Sequence, residues 1–200
     1  MAMPLLLPDG RPGEWTAELV RQLPEDGNRY EVIDGELLVS PSPSGRHQRG
    51  VFLLAERLEA FVRPHQLGLV MISPSDVEYS PRRRVQPDVY VVPLEMTGKV
   101  ARDWDRVPRL LLAVEVLSPS TARYDRITKR RMYLDEGVPQ YWVVDPHARL
   151  IERWTPDSDR PSVHDASIEW HPAGHAPALT IDLAAYFDKV HEPFLEESGW

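Results

Sequence analysis

A chain of 200 residues with 42% apolar and 27% charged residues is long enough to bury one core and too apolar for wholesale disorder. The absence of cysteine excludes a disulfide framework, thiolate zinc sites and cysteine nucleophiles, and the net charge of −8 speaks against a surface that coats nucleic acid everywhere. No apolar run approaches the ~20 residues that span a bilayer, and Met1 to Leu7 lacks the length and cationic flank of a signal peptide, so the expected location is cytoplasmic with no membrane partner.

In chain order, residues 1–14 read as an irregular arm rich in Pro and Gly, 15–190 as one domain and 191–200 as a tail. Thr16 is placed to cap a short helix ending before Pro24. Asp34-Gly35 between two β-prone runs, 30–33 and 36–39, predicts a hairpin, because its turn needs positive φ. Ser44 caps an amphipathic helix to about Arg63, with Val51, Leu54, Leu58 and Phe61 on one face. Strands are predicted at 67–72, 76–80 and 85–92, then a loop or short helix over 93–108. The apolar run Leu110 to Leu117 reads as a central buried strand. A helix over 121–136, with Gly137 as its C-terminal cap, leads to the strand Tyr141 to Val144, which makes a βαβ unit with a parallel strand pair. Leu150 to Trp154 pairs back as a hairpin. A looser hairpin follows, from Val163 to Trp170 and from about 176 to 181, and Asp182 caps a last helix. The whole predicts a single α/β domain with a mixed sheet flanked by helices.

Three residues stand out chemically. Glu115 lies inside the buried strand, where an ionised carboxylate is costly unless it is paired or binds a metal. The bland reading is a strand-end Glu paired with an Arg. Asp88 follows Pro87 and precedes Val89-Tyr90-Val91-Val92. Alone it is ordinary turn chemistry, but if its strand pairs with that of Glu115, two carboxylates about 4.8 Å apart can share one hard cation. Lys129 is one of only three lysines against twenty arginines. Its bland reading is an exposed pair with Asp125, four residues earlier. On the helix wheel, however, it falls between Met132 and Tyr133, the position of a half-buried cation.

Other features point to less. His171 and His175 are separated by Pro172 and Gly174 and do not form a helical metal pair, and with His164 they read as exposed. His47, near the start of the long helix, is placed where it could approach the site, with capping or surface packing the favoured reading. Ser118 and Ser120 lack a Gly-x-Ser-x-Gly elbow. Two cationic clusters stand out against the acidic total: Arg82, Arg83 and Arg84, and Arg123, Arg126, Arg130 and Arg131.

Taken together, Tyr30-Glu31-Val32-Ile33-Asp34-Gly35-Glu36-Leu37, Pro87-Asp88, Glu115-Val116-Leu117-Ser118-Pro119-Ser120-Thr121, Asp125, Lys129, Tyr133, Gly137-Val138 and Tyr141-Trp142-Val143-Val144-Asp145 resemble the Uma-type restriction endonuclease family. That family lies within the PD-(D/E)xK nuclease superfamily. The resemblance runs from about residue 15 to about 187. It implies a restriction-endonuclease-like fold and metal-dependent cleavage of DNA phosphodiesters, with Mg²⁺ or Mn²⁺ as cofactor and DNA as partner. A homodimer is implied as well, since restriction-type nucleases commonly pair to cut two strands. Asp88 and Glu115 take the acidic metal-binding positions. Where the superfamily's Lys would stand, two residues after Glu115, this chain has Leu117, and the resemblance moves that role to Lys129 on the following helix. Glu36, next to the hairpin turn, is preferred over Glu31 as an auxiliary carboxylate.

These readings set definite expectations. Asp88 and Glu115 share one metal at the edge of the mixed sheet, Lys129 points at Glu115, and Arg82–Arg84 join the Arg123–Arg131 helix, with Arg126 and Arg130, in one positive rim that takes phosphates. The reading from another class is a catalytically silent nuclease fold that binds nucleic acid or protein. The acidic total and the missing Glu-x-Lys favour it.

Overall fold

The structure, a computed structural model, describes residues 14–100, 109–172 and 177–192. Most of the arm, part of the expected 93–108 loop, His175 and most of the tail lie outside the described residues.

The first layer grows from the hairpin. Thr16 caps α1 (Ala17–Val20), its side chain accepting from Leu19 N. β1 (Arg29–Ile33) and β2 (Glu36–Ser40) pair in antiparallel register across Asp34 and Gly35. Both turn residues have positive φ, 54° and 87°, as the two-residue turn requires. Ser44 then caps α2 (Gly45–Val62), which buries the stripe Val51, Leu54, Leu58 and Phe61.

β3 (Gly68–Ile72), β4 (Val77–Ser80), β5 (Arg83–Val85) and β6 (Val89–Pro93) follow. The strand expected over 85–92 is in fact divided between two sheets. β5 joins β1 and β4 in a four-stranded antiparallel sheet of order β2-β1-β5-β4. β6 enters a six-stranded mixed sheet of order β10-β9-β8-β7-β6-β3. The corner between them is Gln86-Pro87-Asp88. A proline supplies no ladder hydrogen bond, so pairing can stop there and the chain can change sheets.

After a 3₁₀ turn and α3 (Thr97–Val100) comes β7 (Leu112–Val116), every residue of it buried. β7 is a central strand, antiparallel to β6 and parallel to β8 (Tyr141–Asp145). The crossover between them is helical throughout but not uniform: α4 (Ala122–Tyr124), a π-helical turn Asp125–Lys129, and α5 (Arg130–Asp135). Gly137, with φ of 74°, ends it, as expected for a left-handed cap.

β9 (Leu150–Trp154) pairs back on β8. The expected Val163–Trp170 strand splits. β10 (Ser162–His164) extends the large sheet, and β11 (Ser167–Trp170) pairs with β12 (Leu179–Asp182) in a separate ribbon. Asp182 caps α6 (Leu183–His191) through Ala185 N.

The large sheet is covered on both faces. Val89, Val91, Val114, Val116 and Val144 meet α2, α6 and the ribbon. Tyr90, Val92, Ala113, Tyr141 and Val143 meet Met132 and Tyr133 of the crossover, together with Ile33, Val77 and Val85 of the small sheet. This explains the almost unbroken apolar run of β7, since a strand covered on both sides has no solvent face. Among the described residues, no helix is long and apolar enough to cross a membrane.

Candidate active site

Asp88 and Glu115 meet because of strand register. Val89 pairs with Val114, so one step back along the ladder Asp88 stands opposite Glu115, and directly opposed residues face the same side. They lie at the end of two interior strands, not at a lateral edge of the sheet as expected, because β3 and β8 flank them. Asp88 is fixed from two sides. Its Oδ2 accepts from the backbone N–H of Val116 at 2.8 Å, and its Oδ1 accepts from Arg29 Nη1 at 2.9 Å.

Lys129 reaches inward from the crossover. Its Nζ donates to Glu115 Oε1 at 3.0 Å and lies 2.9 Å from Glu31 Oε2 and 3.7 Å from Asp125 Oδ1. Tyr133 Oη, one turn on, donates to the same Glu115 oxygen at 3.1 Å. The π turn contributes to this arrangement. The N–H of Arg130 reaches back five residues to Asp125 O, and the widened turn carries both Asp125 and Lys129 on its buried side while Ile127 faces out. Such turns recur at functional sites. The exposed Asp125–Lys129 pair of the bland reading is therefore absent, for both residues are buried.

Glu36 is exposed beside the hairpin turn, whereas Glu31 is 1% exposed and holds the place preferred for Glu36. Both lie on one face of the hairpin, since Glu31 pairs with Leu38 and Ile33 with Glu36, and position along the strand decides between them. Glu36 stands at the exposed turn end, whereas Glu31, two residues before Ile33, reaches the crossover, where its Oε1 also accepts from Gln86 N at 2.7 Å. Arg29, absent from the sequence-based candidates, shares that corner. It donates to Asp88, to Gln86 O and to Ser73 Oγ. His47 lies in the site too, its Nε2 3.3 Å from Asp88 Oδ1.

The electrostatics of this cluster are unbalanced. Glu31, Asp88, Glu115 and Asp125 are buried carboxylates, and Arg29 and Lys129 are the permanent cations among them. Fully ionised, the set has two more negative charges than positive. Burial pushes Glu115 well above the ordinary carboxylate range, against Lys129, and Asp88, Asp125 and Glu31 push it further. Burial also lifts Asp125 to about 6, although Lys129 and a hydrogen bond from Thr121 oppose it. Asp88 goes the other way. Burial raises it, but His47, Arg29 and Lys129 outweigh that and bring it to about 2. The Lys129 ammonium is held firmly charged, because Glu115, Glu31 and Asp125 overcome its own burial.

Asp125 makes this testable. Its folded value of about 6 exceeds the ordinary 3.8, so between those values the folded state keeps a proton that the unfolded chain has released. Folding therefore weakens as pH rises through that window. In EDTA, the melting temperature of Asp125→Asn minus that of the parent is expected to climb from pH 4 to pH 6, equivalent to at most about 3 kcal/mol. A difference that stays flat with pH would show that burial does not perturb Asp125.

The expected single positive rim is not what the structure shows. Arg82 pairs with Glu14 and donates to Asp34 O, and Arg83 pairs with Asp34 and Glu136. Arg84 is buried against Asp76, Arg126 binds Asp145 and Glu152, and Arg130 lies over the Trp154 ring. These cations neutralise local carboxylates and tie elements together. Three others, Arg46, Arg49 and Arg123, make no ion pair among the described residues; in sequence they lie within two residues of His47 or Thr121, which line the cleft. His171 pairs with Glu169 at the surface and His164 bonds to Ser162 and Ser167, as expected for exposed histidines.

The cleft holds about 210 Å³ and is lined by Arg29, His47, Asp88, Glu115, Asp125 and Lys129, with Ser118 to Thr121 at its rim. A larger cleft of about 720 Å³ shares Arg29, Pro41, Ser42 and Pro43 with it. The donor set suits a hard divalent cation. It offers carboxylate oxygens, excess negative charge and room for waters, and Mg²⁺ characteristically takes one or two carboxylates with water and substrate phosphate. Among the described residues no three acidic or histidine groups already stand in position to hold a metal ion by themselves.

Comparison with known proteins places the chain. No curated protein matches it. A nuclease described as "putative" and belonging to DUF820, from Anabaena variabilis ATCC 29413, has the same fold, with a TM-score of 0.70 and 18% identity over 88% of this chain and 98% of that one. The Uma2 family, described as "Putative restriction endonuclease", matches residues 17–185, which include every carboxylate and cation of the cluster. The chain belongs to the Uma2 family and has a restriction-endonuclease-like fold.

Proposed function

We propose that this protein is a metal-dependent endonuclease that hydrolyses phosphodiester bonds in DNA. The observation that carries the reading is the buried cluster of four carboxylates and two cations, which a divalent ion at Asp88 and Glu115 brings to balance. Mg²⁺ or Mn²⁺ held there supplies a nucleophilic water at neutral pH and a Lewis acid for the phosphate. Lys129, fixed at 3.0 Å from Glu115, orients that water or offsets the charge gained by the phosphate. Arg29 and Tyr133 hold the two acidic groups in place. Arg46, Arg49 and Arg123, which make no ion pair among the described residues and neighbour cleft-lining His47 and Thr121 in sequence, would take backbone phosphates. A homodimer would present two such sites, one for each strand.

The direct test is incubation of supercoiled, linear duplex and single-stranded DNA with Mg²⁺ or Mn²⁺, beside the same reactions in EDTA. Metal-dependent strand breaks are expected. No cleavage of any form, with metal bound, would favour the silent binding module. A second test needs no turnover. Divalent metal at about 100 times its dissociation constant should stabilise the fold by about 2.7 kcal/mol, a rise of several degrees in melting temperature for a chain of this size. An unchanged melting temperature in saturating Mg²⁺ and Mn²⁺ would count against any metal in the cluster.

A further inference from the structure

His47 lines the cleft and has no task in the reading above. It is 7% exposed, on the first turn of α2, and faces Asp88 with its Nε2 3.3 Å from Oδ1, neither ring nitrogen forming a hydrogen bond of full geometry. Its helix is pressed onto β7 at Gly50, whose added Cβ would meet Tyr186 Oη at 3.3 Å and Val116 Cγ1 at 3.6 Å. Tyr186 Oη also donates to Gly50 O at 2.9 Å. The approach of the helix, and with it the position of the imidazole, is therefore set by packing. Asp88 does not need the ring for satisfaction, since Val116 N–H and Arg29 already bond its two oxygens.

We infer that His47 Nε2 is a nitrogen ligand of the same divalent ion as Asp88, so that the site selects Mn²⁺ over Mg²⁺. This rests on the metal-site reading above and goes beyond it. The geometric support is the 3.3 Å between Nε2 and Asp88 Oδ1. Two adjacent ligands of an octahedral ion, each just over 2 Å from the metal, stand roughly 3 Å apart. Glu115 supplies the second carboxylate, since Lys129 and Tyr133 both bond its Oε1 and leave Oε2 for a ligand. The chemical support is donor type. An all-oxygen site suits Mg²⁺, whereas imidazole favours first-row transition ions, and Mn²⁺ accepts both donors.

The test is pulsed electron paramagnetic resonance of Mn²⁺ bound to the full chain, with calorimetric titration of Mn²⁺ and Mg²⁺ alongside. A directly coordinated ¹⁴N coupling is expected, replaced by a ¹⁵N coupling when the protein is made with ¹⁵N-histidine. His47→Gln, shown to be folded by circular dichroism, should lose that coupling and bind Mn²⁺ at least about tenfold more weakly, the scale seen when even an outer partner of a metal ligand is removed. Its Mg²⁺ affinity should change less. Mn²⁺ bound without nitrogen coupling, or a coupling that persists in His47→Gln, would overturn this assignment and leave the carboxylate site standing. Absence of any Mn²⁺ binding to the parent would overturn both.

Discussion

Replacing Glu115 by glutamine is expected to lower metal-dependent DNA cleavage by about three orders of magnitude, the upper end of what a single preorganised electrostatic group contributes. The amide keeps the side chain's volume inside β7, so packing against Tyr133 is preserved. Its oxygen can keep the hydrogen bonds from the Lys129 ammonium and the Tyr133 hydroxyl, but its NH₂ then takes the place of Oε2 and offers a donor where a hard divalent ion needs an acceptor. The same change removes one negative charge from a cluster that has too many. In EDTA the variant should therefore melt no lower than the parent, while the rise in melting temperature on adding metal should largely disappear. Cleavage that survives Glu115→Gln, measured on the same DNA with the same metal, would remove Glu115 from the chemistry.

Lys129→Ala acts on stability as strongly as on activity. Removing one partner from a buried ion network costs about 3–5 kcal/mol. For a chain of this length that is a fall of about 10 °C in melting temperature. The loss should be greater at pH 8 than at pH 5. With the ammonium gone, the raised carboxyls of Glu115 and Asp125 can each keep a proton at the lower pH but must ionise unpaired at the higher. Lys129→Met separates charge from volume, since methionine refills most of the space without the ammonium. If Met restores the parent's melting temperature at pH 8, the lysine acts there only as packing.

Much of this arrangement was legible in the chain. The hairpin at Asp34-Gly35 could be read because its turn needs positive φ at both residues. The two caps at Ser44 and Asp182 were visible because exposed helix N-termini demand an acceptor. Glu115 stood out against an apolar run, and Lys129 against twenty arginines and an apolar flank.

The features that the chain does not reveal all depend on the partner of a strand or a charge. Residues 83–93 look continuous, yet β5 and β6 serve different sheets, and that break at Gln86-Pro87-Asp88 is what aims Asp88. Nearness to a turn points to Glu36, but the turn end is exposed, and Glu31, deeper along the same face of the hairpin, is the one that meets Lys129. The arginine clusters read as a phosphate rim because their carboxylate partners, Asp34, Asp76, Glu136, Asp145 and Glu152, lie distant in sequence for the most part. Arg29 carries no local signal at all, and His47 only its place near the start of the long helix.

The sequence by itself thus determined the elements, their order and two acidic groups with one lysine, because periodicity, turn chemistry and the cost of a charge in an apolar run are local properties. Only the tertiary structure decided which four carboxylates share one buried space and which arginines are taken up in ion pairs. That outcome depends on strand register and on electrostatic pairing between residues far apart in the chain, and neither leaves a mark on the neighbouring sequence.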